Sequence, residues 1–352
     1  MSSLARVSFE GAASSQPLPP ESIIFGQTAA MRDVRIKLER VAGANLSVLI
    51  TGESGTGKDI IARLLHLYSP WANGPYVKVN CPAIPGSLLE SELFGYEKGA
   101  FTGALGAKPG RVELANRGTL FLDEISELDP ALQAKLLQLL QDGQFSRIGS
   151  QEDTKVEVRV VSATNRELHR RMEEGNFRSD LFYRIAAMTM HLPALRERAV
   201  DIPSICEYLL QYYNDKLNGR APALRPALLT KMQRYAWPGN VRQLENLVKR
   251  YVVMGTEDVI LSELLQTNDR DALPDFTFDG SVSLKKLTRQ TVRKVEGRII
   301  LGALHANNWN RKKAARALGI SYRALLYKLK DVGIPQRRGA VSAVRTDDQK
   351  PE

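Results

Sequence analysis

The chain has little cysteine, little histidine and no long apolar run. Of its 352 residues only Cys81 and Cys206 are cysteine, far apart and without metal or redox spacing. A disulfide framework is thereby excluded, and two lone thiols fit a reducing cytoplasm. The four histidines (His66, His169, His191 and His305) form no ligand pair, so no histidine-based metal centre is expected. No apolar stretch approaches the roughly 18 residues needed to span a bilayer. Residues 1–20 lack the basic flank and apolar stretch of a signal peptide. Their Ser, Ala and Pro content predicts a disordered tail. The rest, with 43% hydrophobic and 25% charged residues, is ordinary for a globular protein. One large domain with one or two small ones is expected, in the cytoplasm.

Acidic residues are scarce at one end. Between Lys285 and Arg338 fifteen Lys or Arg face only Glu296 and Asp331. That local excess is larger than the net +10 of the whole chain, so the remainder is net acidic. A basic module on an acidic body points to nucleic-acid binding. A basic disordered tail is the alternative, and the helical patterning at this end argues against it.

The stretch that organises the rest is Gly52-Glu53-Ser54-Gly55-Thr56-Gly57-Lys58-Asp59, between the apolar run Leu46–Ile50 and the helical pattern Ile60–Leu65. Strand, glycine-rich turn and helix together fit the phosphate-binding pattern G-x-x-x-x-G-K-[ST] up to its last position. Backbone N–H groups and the positive end of the new helix suit phosphate oxygens, and Lys58 adds a full charge. Asp59 stands where a hydroxyl would reach Mg2+. Downstream, the buried run Gly118–Leu122 ends in Asp123-Glu124. The first acid is placed to hold Mg2+, directly or through water, and the second to polarise an attacking water. A further strand over Val156–Val161 ends in Thr164-Asn165, where ligands collect in open α/β sheets. Asn80 closes the strand Tyr76–Asn80, and Arg178 and Arg184 lie in an aromatic setting. From Asp201 to about Leu265 the pattern is helical, with Trp237-Pro238-Gly239-Asn240 expected to cap the helix carrying Arg242. ATP and Mg2+ are the expected cofactors.

Two stretches point to partners. Gly99-Ala100-Phe101-Thr102-Gly103-Ala104 cannot make a stable helix interior. It predicts an exposed, flexible loop whose aromatic tip contacts a partner. Residues 267–283 read as a linker, and Leu284–Ala306 as a long amphipathic helix, either core or dimer seam. Asn310 then caps one helix, Gly319 ends it, and Ser321 caps a second. This is a helix-turn-helix pattern. Arg311 and Lys312 on the first helix, and Ser321, Tyr322, Arg323, Tyr327, Lys328 and Lys330 on the second, are the expected DNA contacts.

Assembled, the chain resembles the bacterial enhancer-binding proteins, the AAA+ activators of sigma-54 RNA polymerase, over about Ile23–Ile334. Residues Gly99 to Ala104 match that family's hallmark G-A-F-T-G-A letter for letter. Its phosphate loop has the form G-E-S-G-T-G-K-E, so Asp59 is a shorter version of a family acid. The resemblance implies that Asp123 and Glu124 are the Walker B pair and that Asn80 restrains Glu124. It further implies that Thr164-Asn165 is sensor one, Arg242 sensor two, and Arg178 and Arg184 arginine fingers given to a neighbouring subunit. The implied fold is an α/β AAA+ P-loop domain, a parallel sheet flanked by helices, with a small helical lid subdomain and an all-α C-terminal helix-turn-helix domain. The expected boundaries are an α/β subdomain at 21–193, the lid at 194–266, a linker at 267–283, a Fis-like DNA-binding domain at 284–335 and a second tail at 336–352. The implied partners are sigma-54 RNA polymerase holoenzyme, palindromic upstream double-stranded DNA and further copies of the chain, from a dimer to a hexameric ring. Family members usually carry an N-terminal sensory domain. With only about twenty residues ahead of the AAA+ region, control by a regulatory protein in trans or by expression level is expected, or else a truncated chain. Two other functions fit the same parts: a DNA-binding repressor whose AAA+ body only oligomerises, and an AAA+ remodeller outside transcription.

Overall fold

The apolar run ahead of the glycine-rich turn forms β1 (Val48–Thr51), buried because helices cover both sheet faces. The computed structural model describes residues 17–267, 296, 297, 300, 303, 304, 307 and 310–331. Most of the expected N-terminal tail, nearly all of the linker, most of the amphipathic helix and the second tail lie outside these residues. The described residues fall into two units, one on each side of the 272–273 boundary.

In the first unit, α1 (Glu21–Phe25) and α2 (Ala29–Ala42) precede β1. Then follow α3 (Lys58–Leu67), β2 (Tyr76–Asn80) and α4 (Gly86–Phe94). A short hairpin of β3 (Gly95–Tyr96) and β4 (Lys108–Pro109) leads through α5 (Arg111–Leu114) to β5 (Gly118–Asp123). Next comes α6 (Pro130–Asp142), with proline in its first turn and Asp129 accepting from the Leu132 N–H at 2.9 Å as N-cap. A second hairpin, β6 (Gln144–Ser146) with β7 (Asp153–Lys155), precedes β8 (Val158–Thr164), α7 (Leu168–Glu173), α8 (Ser179–Ile185) and β9 (Met188–His191). The sequence pattern gave no sign of β9 or of the second hairpin.

The main sheet is parallel throughout, in the order β2-β5-β8-β1-β9. Alternating side chains divide between its faces. Val48, Ile50, Phe121 and Val161 meet α2 and α3, while Leu49, Leu120, Leu122 and Val160 meet α4, α6 and α8. Beyond the sheet, α9 (Ile202–Leu217), α10 (Pro226–Gln233), α11 (Asn240–Met254) and α12 (Asp258–Thr267) close around Trp237, Leu244, Leu247 and Tyr251 as a helical lid.

Among the buried charged side chains, Arg159 sits between the sheet and the ends of two helices. Arg159 on β8 is 1% exposed, and its guanidinium donates to the carbonyls of Ala42 and Val41, each at 2.9 Å, and of Leu65 at 3.4 Å. It thus adds donors to carbonyls in the last turns of α2 and α3, where the helix dipole favours a cation; the Val41 carbonyl also accepts from the Ala44 N–H at 3.1 Å. Burial pushes its pKa down.

In the second unit, Ile300, Leu304, Ala314, Ala315, Leu325 and Leu329 form a small core. The helices Arg311–Ala317 and Tyr322–Asp331 carry the expected signals. Asn310 accepts from the Lys313 N–H at 3.1 Å, Gly319 takes φ +64°, and Ser321 accepts from the Ala324 N–H at 3.1 Å.

Replacing Arg159 by Met removes donors from buried carbonyls in the last turns of α2 and α3. Denaturant unfolding should show a loss of about 3 kcal/mol, since each orphaned buried acceptor costs roughly 1–3 kcal/mol.

Candidate functional site

Because the sheet is parallel and in register, its carboxyl ends share one edge. Thr51 pairs with Thr164 and His191, and Asn80 with Asp123, which itself pairs with Ala163. The glycine-rich turn, the Asp123-Glu124 pair and Thr164-Asn165 therefore form one row. Gly57, at φ +99°, ends the turn in a left-handed conformation that suits glycine. Lys58 is 6% exposed, and its ammonium donates to the carbonyls of Gly52 at 2.9 Å and Glu53 at 3.2 Å. It lies 3.7 Å from Glu124, and burial lowers its pKa. Glu124 is itself left-handed at φ 56°, ψ 53°, a strained setting for a side-chain-bearing residue. Its carboxylate accepts from the Asn165 N–H at 3.0 Å. Asn80 lines the same cleft but makes no hydrogen bond to Glu124. Thr164 is buried, and its hydroxyl accepts from the Arg166 N–H at 3.1 Å.

The cleft has a volume of about 600 Å³, and Lys58, Asp59, Asp123, Glu124, Asn165 and Arg242 are among its lining. An apolar recess adjoins it, walled by Ile23, Ile24, Ile60, Leu209 and Val241. A polar cradle beside an apolar slot suits a nucleotide, with phosphates in one and the base in the other. The slot walls were not among the site residues expected from sequence, because they come from the chain start and the lid. A buried pair fixes them: Arg198 donates to Asp201 at 3.0 Å and to the Ile24 carbonyl at 3.1 Å. Asp201 also accepts from the Gln27 N–H at 2.8 Å.

The lid sits directly on the phosphate loop. A Cβ on Gly55 would fall 2.4 Å from the Gly239 carbonyl, and the Arg242 N–H donates to the Gly55 carbonyl at 3.3 Å. The expected capping segment, residues 237–240, does supply the N-cap of α11. Asn240 is the first helical residue, and Gly239 is an N-cap without a side-chain bond. The Asn240 amide ties three segments, donating to Glu53 at 3.1 Å and to the Ser54 carbonyl at 3.0 Å, and accepting from the Leu195 N–H at 2.8 Å. Glu53 also takes a two-pronged bond from Arg196, with one contact at 2.9 Å. These donors, Arg196 first, hold the Glu53 carboxyl down to about 2.

Asp59 and Asp123 both face the ammonium of Lys78, each at 3.7 Å. Two carboxylates converging on one cation are the hard oxygen donors that Mg2+ takes alongside phosphate and water. Among the described residues no group of three or more His, Cys, Asp or Glu is arranged to hold a metal by itself. The residues present therefore fit a metal that arrives with the nucleotide.

The Gly99–Ala104 loop is closed on itself, with the Gly99 N–H donating to the Ala104 carbonyl at 2.9 Å and the Ala104 N–H to the Phe101 carbonyl at 3.0 Å. Ala104 is buried, while Phe101 is 43% exposed and packs edge-on to Tyr96 at 4.9 Å. Ala100, Thr102 and Gly103 make up the rest of the turn, and Thr102 is exposed. The second hairpin supports this loop. The Glu97 N–H donates to the Ile148 carbonyl at 3.0 Å, and Arg147 joins Glu97 to Glu113.

In the second unit Lys312, Ser321, Tyr322, Arg323 and Tyr327 are exposed and Arg311 half-buried. Lys328 is paired with Glu296 at 2.6 Å, and the Lys330 side chain lies outside the described residues.

Comparison with known proteins decides the family. A model of the Sigma-54 interaction domain matches residues 24–191, one of the AAA+ ATPase lid domain 196–275, and one of the Fis family of bacterial regulatory proteins 291–331. Regulatory protein AtoC of Escherichia coli (strain K12) is 44% identical over 315 residues, which is 88% of this chain and 68% of that protein. The chain belongs to the sigma-54-dependent enhancer-binding proteins. The transcriptional regulator NtrC of Salmonella typhimurium is 40% identical, with 90% of this chain and 71% of that protein covered. The Nif-specific regulatory protein of Azotobacter vinelandii is 42% identical, with 90% and 60% covered. NtrX from Brucella abortus, solved in complexes with ADP and with ATP, matches at a TM-score of 0.64 and 33% identity over 88% of this chain and 69% of that one.

The α/β core is thus an AAA+ ATPase module, a class that binds and hydrolyses ATP, and the second unit is a Fis-type helix-turn-helix. Within this enhancer-binding protein neither Arg178 nor Arg184 lines the cleft of its own chain. Arg178 makes a two-pronged bond to Asp180, and Arg184 donates to the Leu140 carbonyl at 3.0 and 2.8 Å.

The Glu53 clamp has a defined pH signature. Its carboxyl is more acidic in the folded chain than its ordinary 4.5, so the clamp contributes above about 4.5 and is lost as pH falls toward about 2. Glu53→Gln should lower unfolding stability at neutral pH. Denaturant titrations at several pH values should show that deficit shrinking as pH drops below 4.5, and a pH-independent deficit would contradict the assignment.

Proposed function

We propose that the chain assembles into an ATP-hydrolysing ring on upstream DNA and drives sigma-54 RNA polymerase from closed to open promoter complexes. The observation that carries this reading is the Gly99–Ala104 turn, which presents Phe101 and Thr102 outward on a base built by two hairpins. Phe101 and Thr102 contact sigma-54. Arg311, Lys312, Ser321, Tyr322, Arg323, Tyr327, Lys328 and Lys330 hold palindromic DNA, with Lys328 leaving Glu296 to do so. A regulatory partner acting in trans and a cytoplasmic setting complete the reading. Among the described residues no helix is long and apolar enough to cross a membrane. The domain limits proposed are 21–193, 194–266, 267–283 and 284–335, flanked by tails at 1–20 and 336–352.

In the nucleotide site, residues Gly52 to Lys58 cradle the phosphates, and Ile23, Ile24 and Val241 receive the base. Bound Mg2+ would neutralise phosphate charge, held by Asp123 with Asp59 beside it. Glu124, aligned by Asn165 and released from Lys58, orients the attacking water, and Asn80 and Thr164 report the state of the site. Arg242 reads the phosphates from the lid. Arg184 is the principal finger, because among the described residues it is tied to one main-chain carbonyl, whereas Arg178 must first break an ion pair. Each finger serves a neighbouring subunit, which makes hydrolysis depend on assembly.

The test is ATP-dependent open-complex formation with sigma-54 holoenzyme. Thr102→Ala or Phe101→Ala should lower it by roughly tenfold or more while leaving ATPase turnover within about twofold, as expected for a contact hot spot. Full promoter activity in both variants would overturn the loop's role. A wild-type chain that hydrolyses ATP without any promoter effect would instead favour a remodeller outside transcription.

A further inference from the structure

Lys78 belongs to none of the motifs discussed above, yet it occupies the centre of the metal-binding edge. On β2 it lies two residues before Asn80, and its register partner Phe121 lies two residues before Asp123. Both pairs therefore project to the same sheet face. The ammonium of Lys78 lies over the Phe121 ring, 5.6 Å from its centroid, and 3.7 Å from both Asp59 and Asp123. The residue is 42% exposed, so its head is free to move. It also lines the cleft assigned to the phosphates.

We propose that Lys78 is the built-in counter-cation of the Asp59–Asp123 pair, displaced by the divalent ion and then turned toward the nucleotide. The proposal rests on the nucleotide-site reading given above. Without a cation the two carboxylates would face each other uncompensated. An ammonium is a compact point charge on a flexible stem, well suited to hold them temporarily. Mg2+ binds such oxygens at about 2.0–2.1 Å and repels an ammonium at this range. The two cations therefore exclude one another, and the entry of the metal moves Lys78 aside. The phosphates of a nucleotide held in the cradle are the adjacent anionic destination. Metal and nucleotide then favour each other's binding through Lys78, and this coupling is reciprocal. The arrangement also gives Asp59 a task that a hydroxyl at this position would not perform, because only a carboxylate shares the ammonium. Lys78 is a positioning residue, since it sets where the carboxylates and the metal sit.

The test uses the full chain without nucleotide, with Mn2+ binding followed by electron paramagnetic resonance. Lys78→Met keeps the stem, removes the charge and, at a partly exposed position, should fold normally. It should bind Mn2+ roughly threefold to tenfold more tightly than wild type, the range expected for one charge near a water-exposed site. Lys78→Arg should match wild type, and Asp59→Asn added to Lys78→Met should abolish the gain. In EDTA, calorimetry should show ADP binding to Lys78→Met weakened by a similar factor. Unchanged or weaker Mn2+ binding by Lys78→Met would overturn the proposal while leaving the nucleotide site standing. A wild-type chain that binds neither ADP in EDTA nor Mn2+ with ADP would overturn the site reading and the proposal with it.

Discussion

The contact between the phosphate loop and the first turn of α11 is the constraint on which this structure depends. At Gly55 the two backbones approach so closely that no side chain fits between them. Asn240 and Arg196 then fasten the lid to Glu53 and Ser54. The cleft exists because these two bodies meet at that line. Its charged half comes from the sheet edge, and its apolar half from the lid and α1. A nucleotide entering the cleft touches both bodies at once, so its occupancy and the lid angle are linked physically. Asn240 sits at a positive φ of 50°, a setting asparagine adopts more readily than most residues, and its amide bonds to Glu53, Ser54 and Leu195 hold it there.

The sheet beneath supplies the fixed reference. Parallel pairing places every carboxyl end on one edge, and Arg159 locks α2 and α3 against β8 by feeding donors to their last turns. Movement is left to the parts added onto this frame. The two hairpins are joined to each other through Arg147 and Ile148, so the exposed turn at Phe101 has a supported base.

Much of this was legible in the sequence where chemistry is local. The phosphate loop, the Asp123-Glu124 ending of β5, the Gly99–Ala104 turn and the capped helix pair around Gly319 carry their signals within a few residues. What could not be read depends on distant partners. Arg159 meets its carbonyls across 117 positions and Arg196 meets Glu53 across 143. The short strand β9, Met-Thr-Met-His, has little intrinsic strand preference and is a strand because β1 pairs with it. The second hairpin has three-residue strands that are polar apart from Phe145, and no Asn-Gly turn. The segment 237–240 was legible as a helix start, but the tie from the Asn240 amide to Glu53 spans 187 positions and has no local signal.

Arg178 and Arg184 lie outside the cleft of their own chain, and under the proposed assembly a single chain holds half of an active site. The most direct measurement is ATPase activity of a one-to-one mixture of Lys58→Ala and Arg184→Ala chains, each inactive alone. If Arg184 serves a neighbouring site, random mixing in a ring pairs intact cradles with intact fingers at roughly a quarter of the interfaces, restoring activity to about that level. A mixture as inactive as its components would contradict the claim, because every site would then depend on an arginine from its own chain.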